Sequence, residues 1–70
     1  MDHRLLALQA LFTKWKLNKV VIAQKCGMNE YTFKMKLYGK PNYSFTDLDY
    51  ARITIAINEL HHDISTLNLQ

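Results

Sequence analysis

Two consecutive stretches of this chain carry the same start and stop signals, and together they constrain its fold more than any other feature. Asn18 offers a side-chain cap, and Leu17 and Ile22 stand where a hydrophobic staple clamps a helix entry. The stretch stops at Gly27, the residue type best suited to a left-handed helix end. Asn29 then repeats the cap, Met28 and Phe33 the staple, and Gly39 the stop. The expected structure is a short helix from about Lys19 to Cys26, a turn at Gly27-Met28-Asn29, and a second short helix from Glu30 to Tyr38.

Helical signals continue on both sides. Leu5, Leu8, Leu11, Phe12 and Trp15 recur at the three-and-four spacing of an amphipathic helix over about residues 3 to 15. Asp2 is its cap, and Trp15 is expected in the core with Leu8, Leu11 and Phe12. After the loop Lys40-Pro41-Asn42-Tyr43-Ser44-Phe45, Thr46 caps a fourth helix with Asp47 and Asp49 in its first turn. Arg52 to Ile57 alternates in the manner of a half-buried strand, but Tyr50, Ile53, Ile57 and Leu60 follow a helical stripe over a longer window. Helix is the favoured reading. Leu48, Ala51 and Ile55 then form a second apolar stripe, which must cover either the chain's own tail or another subunit. The fold class is all-α: a compact bundle of four to five short helices.

Seventy residues leave room for one domain with a small core. That size favours a binding module over an enzyme with a deep cleft. A single cysteine, Cys26, cannot form an internal disulfide, which favours a reducing, cytoplasmic setting. The Leu-rich start superficially resembles a signal peptide, but Gln9 interrupts it, and Lys14 and Lys16 follow where small residues would be needed. No stretch approaches the length of a membrane span. The net charge of +3 averages two unlike regions. Residues 14 to 40 hold seven lysines and one acid, Glu30, for +6, while the remainder carries −3. A basic middle between acidic ends points to one positive face and a polyanionic partner.

Ile22-Ala23-Gln24-Lys25-Cys26-Gly27-Met28-Asn29, followed by Phe33, Leu37 and Gly39, resembles the helix-turn-helix of phage repressors and Cro proteins. Small Ala23, turn-forming Gly27 and apolar Phe33 match that motif's packing positions, and the Phe45-Thr46 opening of helix four is also similar. The likeness spans about residues 3 to 60. Lys36 departs from it, standing where the family usually carries an aliphatic residue, with Leu37 beside it able to supply the contact. The resemblance implies a helix-turn-helix DNA-binding domain over residues 1–60, with the third helix in the major groove and the second across the backbone. Residues 61–70 are then a short tail serving a dimer contact or core packing, through Ile64, Leu67 and Leu69.

A helical wheel anchored on buried Phe33 turns Tyr31, Met35 and Tyr38 outward, Lys34 to the flank and Lys36 to the boundary. Methyl and ring contacts to thymine are open to such residues. Glu30 has two readings, an acceptor from cytosine's amino group or an i,i+4 partner of Lys34. Asn29 likewise reads as a cap or as a phosphate or base contact. Lys19 opposes the dipole of helix two, which makes sense beside a phosphate and is otherwise a tolerated surface lysine. Asn18 and Gln24 could add neutral phosphate contacts, and Lys40 resembles family positions that clamp the backbone. Lys14, Lys16 and Lys25 supply a diffuse field.

His61-His62-Asp63, with His3 and Cys26, does not make a metal site, because adjacent histidines project about 100° apart on a helix. Nothing places a base beside Cys26, and no phosphate loop or acid pair appears. The expectation is therefore a non-enzymatic, cofactor-free transcriptional regulator. It would bind double-stranded DNA in sequence-specific fashion, as a homodimer on a palindromic site, with no small-molecule substrate and no membrane partner. The alternative keeps the same scaffold as a protein-interaction module, with Tyr31, Met35 and Tyr38 as interface residues.

Overall fold

A computed structural model describes residues 2–68, and within them every regular element is helical: α1 His3–Trp15, α2 Lys19–Lys25, α3 Glu30–Leu37 and α4 Asp47–Asn68. The start signals behave as their chemistry requires. Asp2 accepts from the Arg4 N–H, Asn18 from those of Val20 and Val21, and Asn29 from those of Tyr31 and Thr32. Thr46 and Asp49 exchange bonds reciprocally: the Asp49 N–H donates to Thr46 Oγ1 at 3.1 Å and the Thr46 N–H to Asp49 Oδ2 at 3.0 Å. This closes a capping box at the head of α4.

The stop signals are as specific. Gly27 and Gly39 both take φ of 71°. Around Gly27, the Met28 N–H reaches the Ala23 carbonyl at 2.8 Å and the Gly27 N–H that of Gln24 at 3.0 Å. Around Gly39, the Lys40 and Gly39 N–H groups reach Met35 and Lys36 in the same pattern. Both are Schellman closures, which satisfy carbonyls that a helix end leaves orphaned. Cys26 and Tyr38 consequently serve as caps just outside their helices. Lys16 ends α1 at φ 49°, a left-handed position without glycine. In the α3–α4 loop the Tyr43 N–H donates to the Lys40 carbonyl across Pro41 and Asn42. With Asn42 at φ 67°, this has the signature of a type II turn.

Phe33 is the centre of the core, fully buried with Phe12 at 5.7 Å and Phe45 at 5.6 Å between ring centroids. Leu8, Ile22, Ala23, Cys26, Leu37, Ile53 and Ala56 complete it, so all four helices, the Cys26 cap and the loop residue Phe45 share a single cluster. Leu17 and Met28, the outer halves of the two staples, pack against its edge. The Gln9 side chain donates to the Leu37 carbonyl at 2.7 Å, fastening α1 to the end of α3.

One expectation is corrected: Trp15 is not in the core but 63% exposed, because α1 turns its last residue past the edge of the body. Residues 61–68 form the last turns of α4, since the helical stripe and the absence of any breaker carry the helix on. The expected all-α bundle is found, with four helices among the described residues, one of them of 22 residues. The Leu69 part of the tail lies outside the described residues.

Candidate nucleic-acid interface

α2 and α3 pack against each other, with Gly27 between them and Ala23 fully buried at their junction. Ala23 admits close approach of the helices, and Phe33 anchors α3 from inside. The outer side of α3 is therefore held at fixed orientation by its own buried side. Tyr31 is 61% and Tyr38 51% exposed, while Met35 is half-buried beside them. Tyr31 also meets the Tyr43 ring edge-on at 6.4 Å, which braces the loop against the first turn of α3. Tyr43 gained no role from its sequence context, because the turn that brings it back over α3 depends on Asn42 taking a positive φ.

The lysines separate into two groups. Lys34 Nζ sits 2.8 Å from Glu30 Oε1, so Glu30 is the helix partner of Lys34, and this hydrogen bond raises the Lys34 pKa. Lys25 is not part of a diffuse field: it reaches Glu59 of α4 at 3.0 Å, which raises its pKa by the same cause. Lys36 reaches Asp49 Oδ2 at 3.0 Å, with both side chains mostly buried. Lys14 lies over the Trp15 ring at 5.3 Å. Among the described residues, Lys14, Lys16, Lys19 and Lys40 make no ion pair with the chain's own acids.

Lys19 and Tyr38 border one shallow recess of about 370 Å³, with Gln9 and Thr13 of α1 on its other wall. The start of α2 and the end of α3 thus meet at one place, and Gln9 and Thr13 belong to it although sequence reasoning passed over both. Asn18 and Asn29 stand exposed at the two helix starts with their carbonyl oxygens committed to capping. Gln24 is exposed on the outward side of α2, and Lys40 follows the Gly39 closure. Lys19 and Tyr38 are thus brought to one recess and Glu30 pairs with Lys34 along α3, while Gln24 and Lys40 stand exposed.

No group of three or more metal-binding side chains occurs among the described residues, and none of their helices is long and apolar enough to cross a membrane. Burial pushes the Cys26 thiol pKa up, away from the thiolate a nucleophile requires. No family model matches the chain, and no curated protein or solved structure is significantly similar to it. The likeness to repressor and Cro proteins therefore rests on the residues that carry it.

Proposed function

We propose that this protein is a small, non-enzymatic transcriptional regulator of the repressor or Cro type, binding double-stranded DNA through a helix-turn-helix formed by α2 and α3. The observation that carries this reading is the outward side of α3. Tyr31, Lys34, Met35 and Tyr38 stand there on a helix rigidly anchored by Phe33, with unpaired Lys19 and Lys40 at its rim. A helix so placed can enter a major groove with its aromatic and thioether groups toward base edges. The rim lysines and the exposed asparagines face the flanking phosphates.

Titration of labelled duplex at several salt concentrations tests the proposal. Each neutralised phosphate contributes a slope of about −0.9 to log K against log salt, so the two rim lysines, Lys19 and Lys40, imply roughly −2 per protomer. Affinity that does not change between about 50 and 200 mM salt counts decisively against it. Selection of binding sites from random duplexes then reports half-site sequence and spacing. The pair of exposed Tyr31 and half-buried Tyr43 favours one second reading, a protein-interaction surface, since aromatic residues concentrate in interfaces. A stoichiometric protein complex that excludes DNA would establish that reading instead.

A further inference from the structure

Between α1 and α4 lies an apolar groove of about 430 Å³, lined by Leu11, Trp15, Ile57, Leu60, His61 and Ile64. It runs on past Leu11 and Ile57 into a second trough that reaches Arg4. From Arg4 to Trp15, α1 spans about 16 Å, roughly three helical turns. An open trough of that length between two helices suits a third helix better than an enclosed small molecule. Its charge is one-sided. Lys14 Nζ lies over the Trp15 ring at 5.3 Å, and Lys16 follows between Trp15 and Leu17, both of which line the groove. Neither lysine pairs with an acid among the described residues. At the far end Arg4 is already held by Asp2 and Asp47. Among the described residues no carboxylate lines either trough, because Glu59 and Asp63 line a separate cleft with Lys25.

We infer that the groove docks one amphipathic helix of a different protein, apolar along the side that enters the trough and acidic where it passes Lys14 and Lys16. Charge complementarity decides the occupant. A second copy of this chain brings no free acid to the two lysines. Its Asp2 and Asp47 are engaged by Arg4, Glu30 by Lys34, Asp49 by Lys36 and Glu59 by Lys25, and Asp63 shares the Lys25 cleft. A nucleic acid offers the negative charge but no apolar surface for Trp15, Leu60 and Ile64. An anionic bilayer offers both, but on a flat surface that leaves the trough unfilled. A helix with apolar residues at i, i+3 or i+4 and i+7 fills it, and flanking acids fix its register against the lysines. Exposed Trp15 is the natural anchor, since tryptophan dominates many such contacts. None of Tyr31, Lys34, Met35 or Tyr38 lines the groove, so the inference does not rest on the DNA reading.

Two synthetic helical peptides of about 16 residues test it, sharing leucines at i, i+3, i+4 and i+7 and carrying either glutamate or lysine on the flanks. Trp15 is the sole tryptophan, so its emission should shift to the blue as the full chain is titrated with peptide. At about 0.15 M salt the glutamate peptide should bind at least about tenfold tighter than the lysine peptide. Lys14→Gln with Lys16→Gln should cut that preference at least about threefold. Lys19→Gln with Lys40→Gln, equal in net charge, should leave it unchanged. Ile64→Ala should weaken binding of the glutamate peptide about fivefold while circular dichroism stays helical, and Leu60→Ala serves if that variant unfolds. Failure of the glutamate peptide to saturate below about 1 mM overturns the inference. Equal affinity for the two peptides overturns the acidic partner, as does an equal effect of the two lysine double variants. A blue shift on concentrating the chain alone, with doubling of its 8.2 kDa mass, gives the groove to a second copy instead. A shift with anionic vesicles but not with peptide gives it to a bilayer. No arm contains DNA, so failure of the proposed function leaves the inference standing, and the reverse holds as well.

Discussion

Asp49 is the residue on which the most local decisions converge. Its carboxylate accepts from the Thr46 N–H and from Lys36 Nζ, joining the cap of α4 to the last turn of α3. Burial alone would raise its pKa, but the Thr46 N–H, the Lys36 ammonium and the Thr46 hydroxyl outweigh it and hold the carboxyl below the usual range. The sign follows. A carboxyl depressed by folding adds stability that is fully present above the unfolded value of about 4, and lost as pH falls through the folded value. Thermal melts between about pH 5 and 2 should show stability falling with acid, and Asp49→Asn should be less stable at neutral pH with a shallower acid limb. An unchanged limb in the variant would show that Asp49 does not titrate with folding. Lys36 was legible as a boundary residue on the wheel, but its partner was not, because Asp49 lies 13 positions away and only packing brings α4 over α3.

The α2–α3 unit is the element most legible in the sequence, since caps and Schellman closures are made by residues within a few positions of one another. Asn18 and Asn29 cap through their side chains, and Gly27 and Gly39 take the left-handed conformation that the lack of a Cβ permits. The charge pattern was less legible. The Lys34–Glu30 pair was open to sequence reading as an i,i+4 partner, but the partners of Lys25 and Lys36, Glu59 and Asp49, both come from α4 and are brought in only by packing. This division separates two roles by mutation. Lys40→Ala should leave thermal stability within about 0.5 kcal/mol of wild type but reduce the salt slope of DNA binding by about 1. Lys36→Ala should do the reverse, costing about 1–2 kcal/mol in denaturant unfolding with the salt slope unchanged. Equal effects of the two on the slope would remove the distinction between structural and contacting lysines.

At the scale of the molecule, α4 sets the shape. Extents of 45 × 22 × 20 Å and a radius of gyration of 12.5 Å exceed the roughly 11 Å of a compact 70-residue chain, because the last turns of α4 run beyond the body. A core of ten buried residues among those described leaves so short a chain little margin of stability. Phe33→Ala, which empties the centre of that cluster, should cost about 3–5 kcal/mol in denaturant unfolding. A loss below about 1 kcal/mol would mean that the helices do not depend on one shared core.

The sequence by itself determined where α1, α2 and α3 begin and end, where α4 begins, and which side of α2 and α3 faces inward. These outcomes depend on interactions a few residues apart and on helical periodicity, and both are written locally. Tertiary structure decided which lysines are neutralised, that Tyr43 returns over Tyr31, and that Trp15 leaves the core for the rim of an open groove. An apolar residue at the right spacing states only that something must cover it. Whether the cover is this chain or another depends on how far each helix runs past its neighbours, and that length is settled only when the helices pack.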